Sequence, residues 1–130
     1  MRERPLVLCA DDDEDILALI ALRLERAGYD VARATDGERA LELARSLRPD
    51  VLVLDVMMPR RSGDEVVRAL RGDVATRDLR MILLSARVHE SDVQRGIDVG
   101  ADAYLGKPFK APELVGLVAS LLSRGGQTRV

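Results

Sequence analysis

Short apolar runs alternate along this chain with longer segments in which apolar residues recur at every third or fourth position. Five of the runs have the length of β-strands: Leu6–Ala10, Tyr29–Ala34, Val51–Asp55, Met81–Ser85 and Ala103–Gly106. The second run is weaker and more polar than the third and fourth. The pattern predicts five strands, each followed by a helix.

The helix-period segments carry apolar stripes that would pack against a sheet. The stripes are Ile16, Ile20, Leu24 and Ala27; Ala40, Leu41, Ala44 and Leu47; Val66, Val67 and Leu70; Val93 and Ile97; and Leu114, Leu117, Val118 and Leu121. Four of them end at a residue that commonly terminates a helix, namely Gly28, Pro49, Gly72 and Gly100. The segments therefore predict five amphipathic helices.

Alternating strands and helices are typical of α/β proteins, in which a parallel sheet has helices on both faces. Crossover connections are right-handed, so few topologies are available to five parallel strands. The polar second strand suits an edge of the sheet, and the common doubly wound order is 2-1-3-4-5. We expect a flavodoxin-like sheet with five helices, formed as one domain by residues 1–124. Residues 125–130 are expected to be a tail or linker stub.

The composition is that of one ordinary domain. Of the 130 residues, 47% are hydrophobic, which suffices for a core. The net charge of −2 provides no field that favours nucleic acid or an anionic membrane, and no apolar stretch resembles a membrane span or a signal peptide. Cys9 is the one cysteine, and we expect it to be a buried small hydrophobe in a reducing compartment. We expect a cytoplasmic protein without direct nucleic-acid or membrane binding.

Polar residues stand where the predicted strands end. They are Asp11 and Asp12 after the first strand, Asp55 at the end of the third, Ser85 at the end of the fourth and Lys107 after the fifth. In the order 2-1-3-4-5 these four strands are neighbours, about 4.8 Å apart. Because sites in such sheets form at the carboxyl ends of the strands, we expect these side chains to converge on one edge.

The predicted cluster has the chemistry of a phosphoryl-binding site. Three carboxylates at this spacing repel one another unless a cation lies among them. Oxygen ligands favour Mg²⁺, with Mn²⁺ as the alternative, over zinc. Lys107 adds positive charge and Ser85 a hydroxyl, and both suit the oxygens of a phosphoryl group. Asp55 is the central acid, so it is the candidate nucleophile that would form an aspartyl phosphate.

Four segments together resemble the receiver domain of two-component response regulators of the chemotaxis-regulator type. They are "VLCADDDEDI", "VLVLDVMMP" followed by Gly63, "MILLSA" and "YLGKPF", and the resemblance covers about residues 5–123. It implies that Asp55 accepts a phosphoryl group from a sensor histidine kinase or a phosphotransfer protein, or from a small donor such as acetyl phosphate. It also implies a protein that catalyses its own phosphorylation and is not a turnover enzyme.

The resemblance further assigns the metal ligands. Asp12 would bind Mg²⁺ directly and Asp11 largely through water. Asp55 and the backbone carbonyl of Met57 would complete the set. Lys107 would pair with the phosphoryl group.

The resemblance also implies a switch. Ser85 would hydrogen-bond the phosphoryl group and move toward it. Tyr104 would turn inward as Ser85 moves, which would change the face formed by helix 4, strand 5 and helix 5. The Lys107–Pro108 peptide bond is expected to be cis.

Other residues have a structural or an open interpretation. Asp13 and its acidic neighbours suit the start of a helix, and His89, the single histidine, is expected on the surface. Met57 and Arg87 flank the acceptor and Ser85, and we hypothesise that they set water access and hence the lifetime of the aspartyl phosphate. Exchanging both without changing that lifetime would refute this. Arg61 has no explanation in the sequence.

Two other functions are compatible with parts of the pattern. A Mg²⁺-dependent phosphatase that uses an aspartyl phosphate would need an acid or base two residues after Asp55, where Met57 stands. A degenerate receiver used only for docking would not need the complete set of acids, hydroxyl and lysine. The output domain or target, the cognate kinase and a phosphorylation-dependent homodimer are left open by the sequence.

Overall fold

The computed structural model describes residues 2–86 and 89–123, and it contains the five strands and five helices expected. In chain order they are β1 Leu6–Ala10, α1 Glu14–Arg26, β2 Asp30–Ala34, α2 Gly37–Leu47, β3 Val51–Asp55, α3 Gly63–Arg71, β4 Arg80–Ser85, α4 Glu90–Val99, β5 Ala103–Gly106 and α5 Ala111–Ser123. Arg87 and the expected tail at 125–130 lie outside the described residues. Within those residues, no helix has the length and hydrophobicity needed to cross a membrane.

The sheet is parallel throughout, in the order β2-β1-β3-β4-β5, which confirms the predicted topology. All five residues of β3 are buried because helices cover both faces of the sheet at its centre. The polar strand β2 lies at an edge, as its composition predicted. Since all strands run the same way, their carboxyl ends share one edge.

Alternate residues of the central strands enter two separate apolar layers. One layer lies beneath α2, α3 and α4 and includes Leu8, Leu52, Leu54, Val66, Leu70, Met81 and Leu83. The other lies beneath α1 and α5 and includes Val7, Cys9, Leu17, Leu24, Val53, Ile82, Leu84, Leu114 and Val118. Cys9 is buried, as expected, and burial raises the pKa of its thiol to about 12. Packing in these two layers fixes the position of the central strands, and with it the position of their carboxyl ends.

Local sequence sets where the helices start. The Asp13 side chain accepts from the amides of Asp15 and Ile16, so it caps α1 as expected of that acidic run. Ser62 and Glu65 form a reciprocal capping box at the start of α3. His89 is exposed and caps α4, in agreement with its predicted surface position.

The stripe predicted for α4 is wrong at one position, because Val93 is partly buried but Ile97 is not. Ile97 is 45% exposed, and the buried residue of this helix is Gly96. A Cβ atom at Gly96 would lie 2.7 Å from Cδ2 of Tyr104 and 3.1 Å from Cδ1 of Leu83. The helix therefore approaches β5 so closely that glycine, and not an aliphatic residue, forms its inner surface.

Candidate functional site

Three carboxylates meet at the carboxyl edge of the sheet. Asp11 follows β1, Asp55 ends β3, and Asp12 stands at the mouth before α1. Their closest oxygens all lie within 4.8 Å of one another. Asp11 is 1% exposed and Asp55 5% exposed, whereas Asp12 is open to solvent. The neighbouring strand ends thus bring together the acids that the sequence singled out, with one exposed and two buried.

Lys107 enters this cluster from the end of β5. Its Nζ atom lies 2.8 Å from Oδ2 of Asp11 and 3.3 Å from Oδ2 of Asp55. The Lys107 amide donates to the carbonyl of Ser85 at 2.8 Å, and the Lys107–Pro108 peptide bond is cis. The lysine therefore bridges the two buried carboxylates.

The charges in the cluster shift each other's ionisation. Burial, and after it the charge of Asp11, raises the pKa of Asp55 from 3.8 to about 6, against the opposing effects of Lys107 and the Met57 amide. Burial alone would lower the pKa of Lys107, but its hydrogen bond to Asp11 and the two carboxylate charges outweigh burial and raise it above 10.5. At neutral pH one ammonium faces three acids, which favours a further cation.

The segment after β3 folds back on the end of that strand. The Met57 amide donates to Oδ1 of Asp55 at 3.3 Å, and the Gly63 amide donates to the carbonyl of Val56 at 2.9 Å. A Cβ atom at Gly63 would lie 2.5 Å from the carbonyl oxygen of Asp55, closer than any side chain can approach. Glycine is therefore required where α3 begins directly beside Asp55.

Ser85 and Tyr104 lie on the side of β4 and β5. Ser85 is fully buried at the end of β4, opposite Gly106 in the parallel register. Tyr104 pairs with Leu83 in that register, and its half-buried ring packs on Gly96 of α4. The ring of Tyr104 thus lies outside the acid cluster, against α4.

Arg61 has a partner that sequence reasoning missed. Its Nε atom donates to Oε2 of Glu38 at 2.8 Å. The two residues are 23 positions apart and neither belongs to a motif, so no local signal links them. The ion pair connects the segment after β3 with the beginning of α2.

The fold and the edge cluster define a class of protein. A doubly wound parallel sheet with a buried acid at the end of its central strand, flanked by two acids and a lysine, has the features of an α/β phosphoacceptor module. The model of the response regulator receiver domain family matches residues 7–119, and the chain belongs to that family. It is therefore a receiver domain of the kind found in two-component signal transduction, and this assignment does not favour the phosphatase or docking-only alternatives.

Similar proteins agree with this assignment. RpaA of Synechocystis sp., a DNA-binding dual master transcriptional regulator, is 42% identical over 120 residues, which are 92% of this chain and 50% of RpaA. PrrA of Mycobacterium tuberculosis, a transcriptional regulatory protein, is 46% identical over 124 residues, which are 95% of this chain and 52% of PrrA. The chain thus spans about half the length of these curated relatives, which are regulators and not turnover enzymes.

Solved structures share the fold over more than nine tenths of this chain. The receiver domain of the Francisella response regulator 1452 has a TM-score of 0.89 at 37% identity, with 93% of this chain and 98% of that chain covered. The BeF₃-activated receiver domain of DrrB has a TM-score of 0.84 at 31% identity, with 93% and 99% covered. Chemotaxis response regulator CheY4 of Vibrio cholerae has a TM-score of 0.86 at 34% identity, with 92% and 99% covered.

Proposed function

We propose that Asp55 is the phosphoacceptor of this domain and that it receives its phosphoryl group from a phosphohistidine on a sensor histidine kinase or phosphotransfer protein. The observation that carries the proposal is its setting. Asp55 is buried at the end of the central strand, 3.3 Å from Lys107 and within 4.8 Å of two further acids. A carboxylate so placed is a nucleophile held in a fixed position, with Lys107 compensating part of its charge.

The transfer is a displacement at phosphorus. A carboxylate oxygen of Asp55 forms the new P–O bond while the P–N bond to the donor imidazole breaks, and the imidazole nitrogen keeps the electron pair and takes a proton from solvent. Lys107 stabilises the negative charge on the phosphoryl oxygens, since its ammonium already lies between Asp55 and Asp11. Ser85, at the end of the adjacent strand, is the proposed hydroxyl donor.

The acids fit a hard divalent cation, and we propose Mg²⁺, with Mn²⁺ as the alternative. Asp11, Asp12 and Asp55 would hold it through carboxylate oxygens that lie within 4.8 Å of one another, and the carbonyl of Met57 would complete the set. The raised pKa of Asp55 supports this choice, since burial first and the charge of Asp11 second disfavour the ionised carboxylate, which a bound cation would stabilise. The cation would supply charge neutralisation for the incoming phosphoryl group.

We further propose that Ser85 and Tyr104 form the switch. Movement of Ser85 toward the phosphoryl group would open space beside β5, and the Tyr104 ring would respond by moving relative to Gly96. The change would then be presented on the face of α4, β5 and α5, which is the proposed output surface.

The partners follow from the surroundings of the site. An apolar groove of about 410 Å³ between α1 and the start of α5, lined by Ile16, Leu19 and Phe109 among others, borders Lys107. We propose that the phosphodonor protein docks there. Because the named relatives are transcriptional regulators about twice as long, we propose that residues 1–124 are the receiver and that output is delivered by a separate domain or target. The single buried cysteine accords with a cytoplasmic location.

Labelling with acetyl phosphate and Mg²⁺ tests the acceptor. The unsubstituted chain is expected to gain one phosphoryl group per molecule by intact mass, and Asp55→Asn none, because an amide is not a nucleophile. Stoichiometric labelling of Asp55→Asn would contradict the assignment.

Leu19→Asp, which places a charge in the apolar groove, is expected to slow transfer from a phosphohistidine protein but not from acetyl phosphate. Continuous hydrolysis of a chromogenic phosphate ester would instead indicate a turnover enzyme.

A further inference from the structure

The segment between β3 and α3 rests on the N-terminus of α2 through two ion pairs. Arg61 Nε donates to Glu38 Oε2 at 2.8 Å, and Arg60 Nε lies 3.5 Å from Oδ2 of Asp36. Asp36 is also the N-cap of α2, where it accepts from the amide of Arg39 at 2.8 Å. The loop is therefore joined by charge to a helix that contributes no residue to the acid cluster.

The backbone of the loop also contacts the backbone at the start of α2 directly. The Gly37 amide donates to the carbonyl of Pro59 at 3.3 Å. A Cβ atom at Gly37 would lie 2.0 Å from the carbonyl oxygen of Arg61 and 2.7 Å from its Cβ. Because backbone cannot yield as a flexible side chain does, glycine is required here for the loop to lie on the helix. We call the contact of Asp36, Gly37 and Glu38 with residues 59–61 the α2–loop contact.

The loop also carries the backbone next to the acceptor. Met57 lies two residues past Asp55 and donates its amide to that carboxylate, while its side chain is 56% exposed. Arg60, in the middle of the loop, has a φ of 70°, a left-handed conformation unusual for a residue other than glycine. Such a conformation persists where surrounding contacts determine it, and the α2–loop contact lies directly on both sides of Arg60.

We propose that the α2–loop contact positions the loop, and with it the Met57 carbonyl, for cation binding, with Glu38, Gly37 and Arg61 as positioning residues. The inference rests on the metal set in the proposed function. A loop held in place before the cation arrives does not have to be ordered by it, so less of the binding free energy is lost to ordering. This gives Arg61 a role at a distance from the acids.

Two pairs of variants test the proposal. Glu38→Ala removes the ion pair with Arg61, and Glu42→Ala is its control because Glu42 forms an exposed ion pair with Arg39 on the same helix, away from the loop. Gly37→Ala pushes on the loop backbone. Its control is Gly116→Ala in α5, where a Cβ atom meets nothing within 4 Å. Glu38→Ala leaves the backbone contact intact and so remains informative if Gly37→Ala does not fold.

Mg²⁺ affinity is measured by isothermal titration calorimetry well below the unfolding temperature. Glu38→Ala is expected to weaken binding about two- to fivefold and Gly37→Ala about tenfold, while both controls retain the affinity of the unsubstituted chain. The charge exchange Glu38→Arg with Arg61→Glu is expected to recover most of the loss. Hydrogen exchange without Mg²⁺ is expected to be faster in residues 56–62 of Glu38→Ala than of Glu42→Ala.

The outcomes separate this inference from the proposed function. If the unsubstituted chain binds Mg²⁺ and the variants match their controls in affinity and exchange, the positioning role is wrong and the metal site stands. If the unsubstituted chain does not bind Mg²⁺, the metal assignment is wrong and this inference is overturned with it. A fall in thermal stability without a change in affinity would indicate a structural contact alone and would also overturn the proposal.

Discussion

At the scale of single residues, the Asp55 carboxyl group is the acid of the edge cluster whose ionisation is strongly shifted. It is buried beside Asp11, and Lys107 compensates part of the charge. Its pKa of about 6 in the folded chain exceeds the ordinary 3.8. The folded chain therefore binds more protons than the unfolded chain between these two values, and its stability falls as the pH rises through that window.

Replacing Asp55 should remove this loss of stability. Asp55→Asn without Mg²⁺ is expected to raise the free energy of unfolding by about 1–3 kcal/mol at pH 7.5. Near pH 4 the gain should shrink, because protonation already relieves the carboxyl group of the unsubstituted chain there. Urea unfolding at the two pH values measures both differences.

The exposed Asp78 provides the control, since Asp78→Asn makes the same chemical change on the surface. It is expected to change stability by less than about 0.5 kcal/mol at either pH. A gain for Asp55→Asn that is equal at pH 4 and pH 7.5 would show that the shifted ionisation is not its source.

Sequence reasoning predicted the neighbourhood of Asp11, Asp12, Asp55 and Lys107 because strand order alone determines which strand ends are adjacent. It could not predict the partner of Arg61. That ion pair depends on how a loop lies on a helix N-terminus, which neither residue periodicity nor motif spacing encodes.

At the scale of elements, Arg71 joins the end of α3 to the amino-terminal ends of β4 and β5, which lie at the opposite end of the strands from the acids. Its guanidinium donates to the carbonyl of Gly100 at 2.9 Å, to Oδ2 of Asp102 at 2.9 Å and to the carbonyls of Arg77 and Leu79. Asp102 Oδ2 in turn accepts a hydrogen bond from the backbone amide of Met81, the second residue of β4, at 2.8 Å. The ion pair is well buried, with 12% and 7% of the two side chains exposed.

Loss of Arg71 should therefore destabilise the domain strongly. Arg71→Met keeps much of the side-chain volume but leaves the Asp102 carboxylate without its cation, and we expect a loss of about 3–5 kcal/mol in unfolding free energy. Arg68→Met, one turn earlier on the exposed face of α3, is expected to cost less than about 0.5 kcal/mol. Urea unfolding compares the two. Similar losses for both would mean that Arg71 acts as an ordinary surface charge.

The strands were the most predictable elements, because β1, β3 and β5 have the bounds that their apolar runs indicated, while β2 and β4 differ by one residue at their starts. The helix α4 was predicted in place, but one residue of its predicted inner face is exposed. Its periodicity pointed to Ile97, whereas the proximity of Tyr104 puts Gly96 inside. Such a choice depends on the distance between two elements, which residue pattern alone does not contain.

At the scale of the whole molecule, the face formed by α4, β5 and α5 is a candidate surface for association with a second copy of the chain. Ile97 is exposed on α4, and Val99 and Leu117 are partly buried there, so the face offers some apolar surface beside the exposed charges of Arg95 and Asp98. Apolar surface of this kind favours association. The sequence leaves a phosphorylation-dependent homodimer open, and we propose that, if it forms, it forms through this face.

Sizing by light scattering with and without beryllofluoride and Mg²⁺ measures that prediction. The unsubstituted chain is expected to shift from monomer to dimer, and Ile97→Asp to remain a monomer because a charge would be buried in the interface. Leu19→Asp introduces the same charge on α1, at a residue exposed to a similar degree, and should dimerise normally. A chain that stays monomeric when activated, or dimerisation of Ile97→Asp, would contradict the use of this face.

The buried thiol in β1 has a practical consequence. Cys9 is buried, and its pKa of about 12 leaves almost no thiolate at neutral pH. Maleimide and methanethiosulfonate reagents are therefore expected not to modify it in the folded chain. A cysteine introduced on the surface, for example Ile97→Cys on α4, would then be the one reactive sulfur in the chain. A dye or spin label attached there could follow the helix during phosphorylation while the native β1 sequence stays intact.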